Sequence, residues 1–163
     1  MKIEVYHGSI VKVEVPICNM GRENLDFGRG FYLTDIREQA VRWAINVSQR
    51  QRKPAVVNRY LLDKQAVLAE AKCKIFEAYD AEWLEFIVAS RRGLNPSAAY
   101  DYIEGGVAND RVVDTVNLYM AGLMDVETAL RRLAMHQPNN QICMLNQAIT
   151  DKYLSYEGVE TIG

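Results

Sequence analysis

Histidine, cysteine and proline are all scarce in this chain: two, three and four residues among 163. The cysteines, Cys18, Cys73 and Cys143, are odd in number and far apart. No Cys-x-x-Cys pair or Cys/His cluster occurs, which argues against a zinc site and against a disulfide framework. Each Cys reads as a small buried hydrophobe in a reducing cytoplasm, with a nucleophilic thiol as the alternative. No apolar run approaches the length of a membrane span. The opening MKIEVYHGSI lacks the apolar stretch and the small-residue cleavage site of a signal peptide. An excess of basic charge is missing too. Lys and Arg number 19 against 21 Asp and Glu, a net charge of -2, which is not the footprint of a nucleic-acid binder. With no internal repeat, low-complexity tract or linker, the expectation is one cytoplasmic domain over residues 1–163 with no membrane contact.

What is present is ordinary globular material, 49% hydrophobic and 25% charged, enough for a substantial core. KIEVY (2–6) and VKVEV (11–15) alternate with the period of half-buried strands, with a short helix the alternative for VKVEV. Residues 16–30 contain Pro16, Gly21, Gly28 and Gly30 and read as loop. FYLT (31–34) predicts a short strand. Asp35, with Glu38 three positions on, predicts a capping box for a helix over 36–50. AVVNRYLLD (55–63) predicts a strand, with strand or irregular chain continuing to CKIFEA (73–78). Asp80 opens a helix that Gly93 ends. YDYIEGG (100–106) predicts a strand, 109–124 and 125–136 two helices, the second with Asp125 as its cap, QICML (141–145) a strand, and the last segment a short helix and a strand. Strands and helices mix without βαβ alternation, so the fold class is α+β with a split, mainly antiparallel sheet and flanking helices.

Few residues suit chemistry. His136 ends a helix, where it favours the negative end of the dipole. His7 ends a strand and precedes Gly8, which lets the chain bend and backbone groups approach a ligand. In GRGFY, two glycines bracket Arg29, whose guanidinium can bond a pyrophosphate bidentately. A plain turn is the alternative, and neither GxxxxGK[ST] nor a GxGxxG opening a helix is present. Tyr32 and Trp43, with ten residues between them across a strand–helix junction, can form a stacking slot, or Trp43 can simply pack in the core. Glu82 and Glu85 read as a solvated face, and Glu104, before Gly105-Gly106, can point into a cleft. No metal site is expected.

YHGS (6–9), GRGFYLT (28–34) and NNQICML (139–145) together resemble the three motifs of the ADP-ribosyltransferase superfamily, in its His-Tyr-Glu branch of diphtheria-type toxins and poly(ADP-ribose) polymerases. Trp43 stands where that branch places a second aromatic. DFGRGFYLT, QA..WA, EGGVAND and the Asn-x-Gln-Ile run are similar, in the same order, to a set of short uncharacterised bacterial proteins assigned to that superfamily. The resemblance implies NAD as substrate. It implies that His7 bonds the adenosine ribose, that the backbone of Gly8 holds the nicotinamide carboxamide, and that Tyr32 and Trp43 sandwich the nicotinamide. Ser9, Arg29 and Gly30 belong to the same binding motifs. Gln141 stands where the family's Glu bonds the nicotinamide ribose. A neutral amide offers a dipole and hydrogen bonds but cannot act as a general base. The acceptor then supplies any base, or Glu104 or Asp110 takes the acidic role, or the site binds a nucleotide without turnover. The implied activity is transfer of one ADP-ribose from NAD to a macromolecular acceptor by an intracellular toxin with a neutralising antitoxin partner. The alternatives are a non-catalytic NAD or nucleotide module and an RNA 2′-phosphotransferase, the latter disfavoured by the acidic balance.

Overall fold

The computed structural model describes residues 2–20, 25–108, 110–136 and 139–162. Among the described residues, seven strands form two sheets. The first joins β1 (Ile3–Ser9), β3 (Ala55–Leu62) and β7 (Leu154–Ile162) in the order β1-β3-β7, with both pairings antiparallel. The second has β2 (Phe31–Leu33), β4 (Cys73–Ile75), β5 (Tyr102–Gly105) and β6 (Gln141–Met144) in the order β2-β6-β5-β4. Only its β4–β5 pair is parallel. The architecture is α+β, as expected.

The edge strands β1 and β2 join the sheets at one point. Tyr6 and Thr34 exchange both backbone hydrogen bonds, at 2.8 and 2.9 Å. Helix α1 (Arg37–Gln51) lies on β1 and β3 through Ala40 and Ala44. Helices α3 (Ala81–Arg91), α4 (Asp110–Met120) and α5 (Val126–Leu133) bury Trp83, Ile87, Val116 and Leu133 against Ile103 and Cys143 of the second sheet. The other face of both sheets is closed by α2 (Lys64–Glu70) and α6 (Gln147–Tyr153) over a core that includes Val5, Phe31, Tyr60, Tyr102 and Met144.

Three local expectations are corrected. VKVEV is not a strand, because β3 already pairs on both sides. It runs as an irregular strap whose polar groups are met by side chains: the Val13 N–H donates to Asn58 Oδ1 (2.8 Å), and Tyr60 Oη donates to the Val13 carbonyl (2.6 Å). Between β3 and β4 the chain forms α2, whose seven residues are too few to display a helical period. Asp63 caps it by accepting from the Ala66 N–H at 3.3 Å. Asp35 does not cap α1. The cap position is Ile36, whose N–H is met by Thr34 Oγ1 at 3.0 Å, while the Asp35 carboxylate accepts from Asn140 Nδ2 at 2.9 Å. Asp80 and Asp125 do cap α3 and α5.

Candidate functional site

In an antiparallel strand, alternate residues turn both backbone groups toward the same neighbour. Tyr6 bonds Thr34, so Gly8 also turns its N–H and C=O toward β2, and Tyr32 turns its own toward β1. Continuing the ladder would pair Gly8 with Tyr32. Instead the Tyr32 carbonyl accepts from His7 Nδ1 at 2.7 Å, and the strands part. No protein group among the described residues bonds the N–H or C=O of Gly8 on that side. A buried glycine with an open donor and an open acceptor is rare, because buried backbone groups are nearly always paired.

Register then decides which side chains share a face. Tyr6 packs with Ala40 and Ala44. A Cβ on Gly8 would lie 2.2 Å from the Ala40 carbonyl oxygen, so only glycine lets α1 come this close. The α1 face therefore carries Tyr6 and Gly8 of β1, with Thr34 and Tyr32 opposite them. Tyr32 opposes Cys143 and Leu33 opposes Ile142, which puts Gln141 on this face beside Thr34. Gln141 is half-buried, and its side chain makes no hydrogen bond within the described residues.

Helical phase places Trp43. Arg37 pairs with Glu160 of β7, and Val41 and the β7 residue Ile162 pack against the same small core, so that flank of α1 faces β7. Trp43 and Gln39 occupy the opposite flank, toward β2 and the split. Trp43 is 52% exposed, which excludes the core-packing alternative. Tyr32 is pinned: its hydroxyl donates to the Gly28 carbonyl (2.6 Å) and accepts from the Phe27 N–H (3.1 Å), and burial raises its pKa well above the ordinary phenol. Tyr32 and Trp43 thus border one split from two elements, and no ring contact between them is present.

The remaining candidates separate. His7 lies on the far face, its ring 4.4 Å from that of Phe31. Burial lowers its pKa, against the opposing pull of the Tyr32 carbonyl. Ser9 Oγ turns to the Val11 N–H at 3.3 Å. Arg29 is exposed in the bend before β2. Gly30 abuts β6, where a Cβ would sit 2.5 Å from Cys143 Sγ. Glu104 is on the face opposite Gln141 and is buried. It accepts from Tyr102 Oη at 2.6 Å and from Asn140 Nδ2 at 3.1 Å, and it pairs with Lys64 Nζ at 2.9 Å. The side chain of Asp110 lies outside the described residues. Cys18 and Cys143 are buried, and burial raises both thiol pKa values, so neither is poised as a nucleophile.

Thr34, Gln39 and Asn140 were not singled out by sequence, although all three sit inside the quoted motifs. Among the described residues no cluster of His, Cys, Asp and Glu is arranged to hold a metal ion, and no helix is long and apolar enough to cross a membrane.

A family model described as "Protein of unknown function (DUF3990)" matches residues 3–156. The chain belongs to this family. The matched span contains every residue of the split, from Tyr6 to Gln141. No curated protein and no solved structure matches the chain.

Proposed function

We propose that the split binds NAD and that the protein is an NAD-dependent mono-ADP-ribosyltransferase acting on a macromolecular acceptor. The observation that carries this reading is the open N–H and C=O pair of Gly8. A carboxamide presents the complementary acceptor and donor side by side, and Tyr32 and Trp43 border the same opening with flat apolar rings. The resemblance of the three sequence motifs supplies the rest. The Gly8 backbone meets the carboxamide and Gln141 the nicotinamide ribose, while His7, on the far face, holds the Tyr32 carbonyl at the edge of the opening.

In the reaction the C1′–N bond breaks and nicotinamide leaves with the bonding pair. An acceptor lone pair then attacks the oxocarbenium-like C1′. Gln141 orients the ribose hydroxyls through its amide. It removes no proton, so the acceptor nucleophile must be acidic enough or carry its own base. Glu104 does not fill that role, because it faces away and is paired with Lys64. An intracellular toxin restrained by a protein partner fits such an activity.

Calorimetry with NAD, and labelled NAD incubated with cell extract, test the two halves of the proposal. Because Trp43 is half exposed, Trp43→Ala should keep the fold and weaken NAD binding by about 1 kcal/mol. Unchanged affinity removes the slot. Gln141→Glu places a carboxylate beside the developing charge and should raise NAD hydrolysis. The neutral Gln141 and the neutralised Glu104 favour one second reading, an NAD-binding module without turnover. That reading predicts binding, with no labelled product from any extract or variant.

A further inference from the structure

Gln39 carries a polar atom that the fold leaves without a purpose. Its Oε1 is buried and has no hydrogen-bond partner. Leaving a carbonyl oxygen unpaired in the interior costs the free protein on the order of 1–3 kcal/mol, and a native structure that keeps such an atom calls for an explanation such as a bound ligand. Position gives the atom a direction. Gln39 is one turn before Trp43, on the flank of α1 that faces the split. The helix begins just after Thr34, so moving from Trp43 to Gln39 shifts roughly 6 Å from the level of Gly8 toward that of Thr34. Gln141 is opposite Thr34 on the same sheet face and is likewise without a protein partner. The end of the split nearest the start of α1 is thus flanked by two amides from two elements, neither bonded to another of the described residues.

We infer that Gln39 is a ligand-binding residue that, with Gln141, accepts and donates hydrogen bonds to the hydroxyls of a ribose. This rests on the reading of the split as an NAD site, in which the nicotinamide lies at Gly8 and Trp43 and the attached ribose is the next group toward Gln141. Hydroxyls suit the pair, since an amide oxygen accepts from O–H while an amide nitrogen donates to the same group. A carboxylate or phosphate does not suit it, because the buried Oε1 would meet a second acceptor. The neutral Gln141 thereby gains a partner in ribose positioning that a single amide lacks.

The test uses Gln39→Leu and Gln39→Met, both close to Gln in size and without the orphan oxygen. Without ligand, each variant should melt about 2–4 °C higher than the wild type, because an uncompensated buried acceptor is gone. Each should bind NAD about tenfold more weakly, while free nicotinamide, which has no ribose, should bind as it does to the wild type. Three results overturn the inference while leaving the NAD reading in place: unchanged NAD affinity, an equal loss for nicotinamide, or a lowered melting temperature that assigns Gln39 to the fold. A wild type that does not bind NAD overturns both.

Discussion

His7 carries its proton on Nδ1, because that nitrogen meets a carbonyl that can only accept. The imidazole is held neutral, with burial lowering its pKa from the ordinary value of about 6.5. The sign of the linkage follows. The unfolded chain takes up the proton first as pH falls, so stability is full above about pH 6.5 and declines below it until the folded pKa is passed. Melting temperatures should therefore fall between about pH 6.5 and 5 in the wild type, and that slope should flatten in His7→Gln, where the amide can still donate to Tyr32. An identical slope in both proteins would locate the dependence elsewhere. Tyr32 makes a second residue-scale case. Tyr32→Phe keeps the ring but leaves the Phe27 N–H and the Gly28 carbonyl without their partner. It should cost about 1–3 kcal/mol in urea unfolding, more than loss of an exposed hydroxyl would. The existence of these residues and their order were legible in YHGS and GRGFYLT. Their orientation was not, because the pleat puts His7 on the opposite face from Gly8 and Tyr32, and only pairing says which face is which.

At the scale of elements, the contact between α1 and β1 governs the width of the split. Adding a methyl at Gly8 drives it into the backbone of α1, at Ala40 and Ala44, where no side chain can swing aside. Gly8→Ala should lift the helix and cost about 1–3 kcal/mol in a denaturant titration. It should also abolish NAD binding, since Trp43 rides on the same helix. Gly122→Ala, at an open site with positive φ, is the control that costs stability without touching NAD. Helices α3 and α5, capped by Asp80 and Asp125 and long enough to show a period, were readable from sequence because both signals are local. The VKVEV strap was not legible for the converse reason, whereas α2 is simply too short to show a helical period. An alternating segment becomes a strand only if a free edge awaits it, and β3 had none. The start of α1 turned on Thr34 and not Asp35, because Asn140, over a hundred positions away, claims the Asp35 carboxylate.

For the molecule as a whole, the Glu104 network ties the second sheet to α2 and to the start of β6. Lys64 neutralises a carboxylate that is 7% exposed. Lys64→Met strands that charge and should cost about 3 kcal/mol by urea unfolding, with two-state behaviour retained. A loss near zero would mean that Tyr102 and Asn140 suffice to solvate Glu104. The cleft role that the sequence suggested for Glu104 fails for the same reason: its neighbours across β6 and β4 decide what it faces. By itself the sequence determined the α+β class, most of the strands and helices, the aromatic and glycine motifs, and the neutral residue at position 141. Those are set by short-range periodicity, caps and turns. Tertiary structure alone decided that β1 and β2 meet at one bridge and then part, that Gly8 keeps its backbone groups open, that Gln39 and Trp43 border the opening, and that Glu104 does not. Each of these depends on strand order and on the rotation of a helix over a sheet, which long-range packing fixes and local sequence does not.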